Sequence, residues 1–170
     1  MLALANTHFA SAAGMLTWMF YERYTGRKMN AVGACIGAIV GLVAITPAAG
    51  FVTVQESVAI GFIAALVSNW AIARQSKSGL DDTLDVFPSH GVGGMVGMVL
   101  TGVFAADVGL TSGETDTFLW HLVALVGVAI FTFGASLLLF KLVDKAIPLR
   151  VTGWQETLGL DESQHGETVD

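Results

Sequence analysis

His90 is the residue of this chain best suited to chemistry inside a membrane. It lies in the run Asp85-Val-Phe-Pro-Ser-His-Gly-Val-Gly-Gly-Met-Val-Gly97. A carboxylate at a helix N-terminus accepts hydrogen bonds from free backbone N–H groups and meets the positive end of the helix dipole. Pro88 falls in the first turn, where its missing N–H removes no bond from the helix. We therefore predict that Asp85 caps a helix that carries His90 about 7 to 8 Å further along its axis.

Small residues surround His90 on this predicted helix. On a 3.6-residue period one face collects Val86, His90, Gly93, Gly94, Gly97 and Thr101. Glycines beside an imidazole leave space for a second ring or a narrow lumen, and an ionisable side chain at membrane depth is a candidate for function. We expect His90, Val86 and Gly94 to line a substrate pathway. The alternative is a neutral imidazole that only forms a hydrogen bond between two helices.

Other reactive residue types give weaker signals. His8 and His121 fall near predicted helix ends on one side of the membrane, but no third ligand accompanies them, so no metal site is predicted. Cys35 is the single cysteine, which excludes an intrachain disulfide and favours a small buried side chain. We find no nucleophile at the depth of His90 that could pair with it, so we expect neither enzymatic activity nor a cofactor.

Five apolar segments must position these residues, and they cover positions 4–21, 29–45, 57–73, 85–106 and 118–143. A helix needs roughly 20 residues to cross a hydrocarbon core of about 30 Å, so 29–45 requires packing against neighbours. The chain is 54% apolar and 13% charged, whereas soluble proteins have about 25% charged residues. The sequence therefore predicts an all-α, polytopic membrane bundle with five transmembrane helices.

The basic residues fix the predicted orientation. The chain has 8 of them. Arg23, Arg27 and Lys28 follow the first segment, Arg74 and Lys77 follow the third, and Lys141, Lys145 and Arg150 close the fifth. By the positive-inside rule the N-terminus faces outward, residues 1–146 form the membrane domain and residues 147–170 form a cytoplasmic tail. The net charge of −6 comes from loop and tail carboxylates, which is typical of a solvated surface and not of nucleic-acid binding.

Small residues four positions apart predict close packing between helices. The second and third segments contain such series at Gly33, Gly37 and Gly41 and at Ser57, Gly61 and Ala65. Trp18, Trp70 and Trp120 lie near predicted helix ends and are interpreted as interfacial anchors. The chain also enters its first apolar segment without a basic n-region, so we predict no usual signal peptide. A protein that starts outside in this way is best explained as the back half of a longer one.

The sequence also resembles a known family. Residues 81–94, Asp-Asp-Thr-Leu-Asp-Val-Phe-Pro-Ser-His-Gly-Val-Gly-Gly, are similar to the signature before and within the tenth helix of the ammonium transporter family (Amt/Mep, related to Rh proteins). Residues 5–8 and 16–18 resemble its seventh helix, residues 33–50 its eighth, and residues 149–151, 159–161 and 165–167 its cytoplasmic tail. The resemblance covers nearly the whole chain, and the motifs occur in the family's order.

This resemblance implies a fold and a function. Family members have eleven spans arranged as an inverted repeat whose halves enclose a pore, and this chain is similar to spans seven to eleven. It implies passage of ammonium or ammonia through a hydrophobic pore, in which His90 is one of a histidine pair, Val86 and Gly94 line the pathway and Asp85 lies at the inner mouth. The missing N-terminal half would supply the other histidine.

The resemblance also implies partners and a location. It implies a homotrimer in the bilayer of the plasma or inner cell membrane. For many members it further implies a cytosolic PII-type signalling protein at the cytoplasmic face. A different class of function stays open, namely a structural or channel-forming membrane module in which His90 is only a packing residue.

Overall fold

A computed structural model describes residues 1–168, and these residues form helices and loops without a β-strand. Val169 and Asp170, the end of the predicted tail, lie outside the described residues. The main helices are α1 (Leu2–Tyr24), α2 (Ala31–Ile45), α3 (Val54–Gln75), α4 (Gly93–Phe104) and α5 (Asp116–Ala146). A π-helical turn, Phe87–Val92, leads directly into α4. Each main helix matches a predicted segment, so the all-α bundle is confirmed.

The described helices differ in how well they suit a bilayer. Three of them are long and apolar enough to cross a membrane, namely Val54–Gln75, Phe87–Phe104 and Asp116–Ala146. α2 is strongly apolar but has only 15 residues. α1 has 23 residues, but Asn6, Thr7 and His8 make it less apolar than those three. α2 and α1 therefore depend on packing against neighbouring helices.

α1 approaches α2 and α3 most closely at Ala10, which is fully buried. A Cβ atom added at Gly41 of α2 or at Gly61 of α3 would overlap the carbonyl oxygen of Ala10. A Cβ at Gly37 would lie 2.5 Å from the Cβ of Trp18. Only glycine allows these backbones to come so close, so the predicted packing role of the small residues is confirmed.

Asn6 connects the beginning of α1 to the loop between α2 and α3. Its Nδ2 donates to the carbonyl oxygen of Ala49 at 2.9 Å and to that of Val52 at 2.7 Å. The backbone N–H of Ala106, just beyond α4, donates to the carbonyl oxygen of Phe51 in the same loop at 2.8 Å. The start of α1, the α2–α3 loop and the end of α4 therefore lie at one end of the bundle.

The opposite end is joined by a second polar contact. The Arg27 guanidinium, just beyond α1, donates to Oδ1 of Asn69 near the end of α3. α1 and α3 thus run in the same direction, and α2 and α4 run against them, as the positive-inside pattern predicts. α4 packs on α2 at Gly97, where an added Cβ would overlap the carbonyl oxygen of Ala44.

Two predictions about single residues are wrong. Trp18 is 3% exposed and donates through Nε1 to Oε1 of Glu22 at 3.3 Å, so it is a core residue and not an interfacial anchor. Cys35 is exposed because it lies on the face of α2 opposite the buried Gly33 and Gly37. Gly33 and Gly37 pack against α1, and Cys35 between them points away from it.

The contacts divide the chain within α5, into Met1–Val126 and Gly127–Asp170. The first unit contains the hydrophobic core, which includes Val40, Ala44, Ile45, Ile60 and Ala64. The second contains the end of α5, α6 (Gly153–Leu158) and a π-helical turn, Asp161–His165. In that unit Arg150 forms an ion pair with Glu156 at 3.1 Å. Each unit is therefore held by contacts of its own.

Gly41→Ala should destabilise the bundle, because its Cβ overlaps the Ala10 carbonyl oxygen. Overpacking of this kind costs about 1 to 3 kcal/mol. Gly127→Ala in α5 is the matched control, since nothing lies within 4 Å of its added Cβ and alanine favours helix. Unfolding of the chain in mixed micelles, followed by circular dichroism, measures both changes. Equal stability of the two variants would contradict the packing role of Gly41.

Candidate functional site

Asp82 holds the start of the turn that carries His90. Its Oδ1 accepts the backbone N–H of Val86 at 2.9 Å, and its Oδ2 accepts that of Phe87 at 2.9 Å. Oδ2 also accepts Nε2 of Gln75 at 3.0 Å. Gln75 is the last residue of α3, so one carboxylate links the end of α3 to the beginning of the next helix. The hydrogen bond from Gln75, and then those from Phe87 and Val86, lower the pKa of Asp82.

The prediction that Asp85 caps this helix is therefore wrong. Its backbone has a φ of +50°, a left-handed conformation that aspartate tolerates better than most residues. A cap at Asp85 would receive the N–H of Phe87, which already donates to Asp82, and the next residue, Pro88, has no N–H to offer. Burial raises the pKa of Asp85, and the nearby charge of Asp82 raises it further. Pro88 does lie at the start of the turn, as predicted.

His90 lies on the accessible side of the π-helical turn. Its side chain is exposed, and Val86 is 49% exposed. Gly94 is half-buried, and the nearest atom to an added Cβ there would be Cγ1 of Val43 at 3.8 Å. Val86, His90 and Gly94 follow one another at intervals of four and share this accessible side. Of the three predicted pathway residues, the described part of the chain therefore leaves Val86 and His90 exposed and Gly94 partly covered.

The other predicted members of this face turn toward the bundle. Gly93, Gly97 and Thr101 are buried. An added Cβ at Gly93 would lie 3.5 Å from Oγ of Ser68 in α3, and one at Gly97 would overlap the carbonyl oxygen of Ala44 in α2. A π-helical turn contains one residue more than an α-helical turn, which rotates the following residues by about 100°. The single face predicted from a 3.6-residue period is therefore wrong, and these glycines serve helix packing.

Glu22 is a buried carboxylate that the sequence analysis missed. It is 6% exposed, and its Oε1 accepts Nε1 of Trp18. An added Cβ at Gly33, in the first turn of α2, would lie 2.8 Å from its Oε2, so the carboxylate sits beside the positive end of that helix. Oε2 has no hydrogen-bond partner among the described residues. The available signal was a carboxylate one helical turn after a tryptophan, directly at the end of the first apolar segment.

Two buried hydroxyl groups flank the His90 turn on its inner side. The Oγ atoms of Ser68 and Ser89 are buried and have no hydrogen-bond partner among the described residues. Buried polar groups of this kind generally bind ordered water. The interior behind the turn is therefore polar at these two atoms, and the imidazole projects to the accessible side.

The remaining histidines of the first unit do not converge on a metal. His8 is exposed on α1, and Nδ1 of His121 lies 2.7 Å from the carbonyl oxygen of Thr117. A carbonyl can only accept, so Nδ1 carries the proton in this contact. Within residues 1–168, no group of three or more His, Cys, Asp or Glu side chains is arranged to hold a metal ion.

Asp82→Asn should loosen the His90 turn, because an amide supplies one acceptor oxygen where the carboxylate supplies two. We expect faster hydrogen exchange at the N–H groups of Val86 and Phe87, which donate to Asp82. Asp85→Asn is the matched control and should leave both rates unchanged. The assignment fails if Asp85→Asn accelerates exchange at these amides as much as Asp82→Asn does.

The two aspartates should also titrate in opposite directions from the ordinary value of 3.8. Because the pKa of Asp82 is lowered on folding, its stabilising contribution is complete above the unfolded-state pKa and is lost as the pH falls through the folded-state value. Asp85 should titrate at higher pH, and Asp82→Asn should lower its midpoint by removing a like charge. Carboxyl ¹³C titration by NMR measures both midpoints, and the reverse order would contradict the assignment.

Known proteins are similar to this chain over nearly its whole length. The model of the Ammonium Transporter Family matches residues 1–170. An ammonium transporter of Bacillus subtilis is 42% identical over 176 residues, covering 98% of this chain and 43% of the relative. Ammonium transporter MEP2 of Saccharomyces cerevisiae is 40% identical over 182 residues, covering 97% and 36%. The chain therefore spans less than half the length of these curated relatives.

Solved structures show the same fold. The crystal structure of Candida albicans Mep2 superimposes with a TM-score of 0.84 at 36% sequence identity, covering 91% of this chain and 37% of that chain. The family match over residues 1–170 and this structural likeness point to the same family. This chain belongs to the ammonium transporter family.

Proposed function

We propose that this chain forms one half of an ammonium-transporting pore, with His90 on its pathway. The observation that carries the proposal is the accessible row of Val86, His90 and Gly94, held by Asp82 in a family member that otherwise packs its small residues tightly. A histidine that served only packing would be covered by neighbouring side chains. In this chain it is exposed, which fits a pathway whose opposite wall comes from other helices.

The chemistry of imidazole suits this role. Ammonium is a small cation that donates hydrogen bonds, and ammonia is a neutral species that both donates and accepts them. A neutral imidazole offers one N–H donor and one lone pair, and it exchanges a proton near physiological pH. Paired with a second histidine from the missing half, His90 would bind the neutral species or relay the proton in a path that excludes ions unable to release one.

The proposed orientation and partners follow the family resemblance. Residues 1–146 span the membrane with the N-terminus outside, and residues 147–170 form a cytoplasmic tail. Asp82 and Asp85 then lie at the inner mouth, just before the pathway residues. We also propose assembly as a homotrimer in the plasma or inner membrane, with a PII-type signalling protein as a partner at the cytoplasmic face.

The 170-residue chain expressed alone should not transport, because the row formed by Val86, His90 and Gly94 has no second wall opposite it. Cells that lack ammonium transporters should fail to grow on low ammonium at acidic pH when given this chain alone. Co-expression with a six-span N-terminal half from a relative should restore growth. Rescue by the chain alone would contradict the half-pore proposal and favour a self-sufficient channel module.

In the completed transporter, His90→Ala should reduce methylammonium uptake at least about tenfold while membrane insertion stays normal, since removing a proton-transfer group typically costs 10²–10⁴-fold in rate. His8→Ala is the matched control, because His8 is exposed and lies away from this turn. His90→Glu should keep a polar relay but admit cations more readily. Unchanged uptake and ion selectivity in His90→Ala, at normal expression, would return His90 to a packing role.

A further inference from the structure

A small buried space lies beside Gly93, where the His90 turn joins α4. An added Cβ at Gly93 would lie 3.5 Å from Oγ of Ser68 in α3, and 3.6 and 3.7 Å from Cγ1 of Val40 and of Val43 in α2. These are ordinary van der Waals distances, so the space holds one methyl-sized group without displacing its walls. A water molecule, which occupies about 30 Å³ in the liquid, is of similar size.

Two serine hydroxyls border this space. Ser68 is 0% exposed and Ser89 is 3% exposed, and neither Oγ has a hydrogen-bond partner among residues 1–168. Ser89 lies four residues before Gly93, about one helical turn, and is therefore on the same face. A buried hydroxyl without a partner costs free energy, and in folded proteins an ordered water commonly satisfies such a group. The site thus offers two polar partners and room for one water, which meets the requirements of a buried hydration site.

The backbone connects this site to His90. The N–H of Gly93 donates to the carbonyl oxygen of His90, whereas a regular α-helix would direct it to the carbonyl oxygen of Ser89. Asp82 holds the start of the turn through two backbone N–H groups. A contact with α3 beside Gly93 would therefore fix the other end of the turn that carries the imidazole.

We propose that one buried water occupies the space beside Gly93, bridges the hydroxyls of Ser68 and Ser89, and so anchors the His90 turn to α3. Among the described residues the two hydroxyls bond neither to each other nor to another group, so a bridging molecule is needed to join them. The other walls are apolar side chains, which favours a neutral ligand over an ion. Ser68 and Ser89 are then positioning residues, which act on His90 through the turn and do not touch the substrate.

A double-mutant cycle tests the bridge in the purified 170-residue chain in mixed micelles. Ser68→Ala and Ser89→Ala should each lower the hydrogen-exchange protection factor of the Gly93 N–H about fivefold, the effect of one net hydrogen bond. The double variant should show about the same fivefold loss, because removal of either hydroxyl releases the bridge. If each hydroxyl instead donates to a carbonyl one turn earlier in its own helix, the losses multiply to about 25-fold, and that result would overturn the proposal.

Gly93→Ala displaces the water and keeps both hydroxyls, since its methyl group fills the space at ordinary contact distances. Alanine also favours helix, so the diagnostic result is the response to a second substitution. In the Gly93→Ala background, Ser68→Ala should cause no further loss of protection at the same amide, and a further fivefold loss would contradict the bridge. Water-selective nuclear Overhauser spectra should show a long-lived water at the β-protons of Ser68 and Ser89 in the parent chain. The absence of that signal would also overturn the proposal.

Ser57→Ala is the matched control, because it removes another buried hydroxyl from α3. Oγ of Ser57 already donates to the carbonyl oxygen of Val54 at 2.7 Å, so no bridge to the turn depends on it. Protection of the Gly93 amide should stay unchanged in this variant. Equal losses in Ser57→Ala and Ser68→Ala would show general loosening of the bundle and would overturn the proposal.

The consequence for transport rests on the proposed function. In the completed transporter, Ser68→Ala should lower the maximal rate of methylammonium uptake about threefold through a misplaced imidazole and leave KM unchanged, because the hydroxyl faces the interior and not the pathway. A normal rate in Ser68→Ala together with impaired uptake in His90→Ala would overturn the positioning role. Normal uptake in both variants would contradict the proposed function instead, and the exchange cycle, which does not use transport, would still decide the water site.

Discussion

The rest of the structure depends on the close approach of three backbones at Ala10. The carbonyl oxygen of this residue lies against Gly41 of α2 and Gly61 of α3, so that neither position accepts a Cβ. Lipid tails supply no hydrophobic force that would drive helices together, and the bundle is stabilised by dispersion contacts over such short distances. Glycine is thus required at this crossing, because any larger side chain would push the three backbones apart.

The position of the candidate site follows from that contact. α2, fixed against α1, offers the carbonyl oxygen of Ala44 to Gly97 of α4. The π-helical turn before α4 then changes the direction of the side chains, so that Gly93 and Gly97 pack inward and His90 projects outward. A regular α-helix through the same residues would place the imidazole and Gly97 on one face. The extra residue of the turn therefore lets Gly97 pack against α2 while the His90 imidazole stays accessible.

Carboxylates act at one end of this arrangement in different ways. Asp82 accepts three hydrogen bonds and links α3 to the His90 turn, whereas Glu22 lies buried beside the first turn of α2 with one oxygen unpartnered among the described residues. Both use backbone or side-chain N–H donors in place of a basic partner.

The small residues around the His90 turn serve different purposes. Gly94 stays accessible beside His90, because among the described residues only Val43 comes within 4 Å of an added Cβ there, through its Cγ1 at 3.8 Å. Gly93 and Gly97 contact neighbouring helices. An added Cβ at Gly93 would make only ordinary van der Waals contacts, the nearest at 3.5 Å, whereas one at Gly97 would overlap the carbonyl oxygen of Ala44. Substitution should therefore affect stability at Gly97 and accessibility beside His90 at Gly94.

The sequence by itself determined the class of this protein. The lengths of the apolar segments, the one-sided basic residues and the spacing of small residues predicted an all-α bundle and its close helix contacts, because these features act locally or through a fixed helical period. It also placed His90, Val86 and Gly94 on one side of their helix, since four-residue spacing keeps them together even across the irregular turn; their place on a pathway remains a proposal.

Only the tertiary structure decided which aspartate holds that turn and which way its neighbours face. Asp82 and Asp85 are chemically alike, and the choice between them depends on the loop path that brings Asp82 to Gln75. The burial of Trp18, the exposure of Cys35 and the position of Glu22 likewise depend on where α2 crosses α1. A sequence pattern defines the faces of one helix, but contacts between helices and the extra residue of a π-helical turn determine which face is covered.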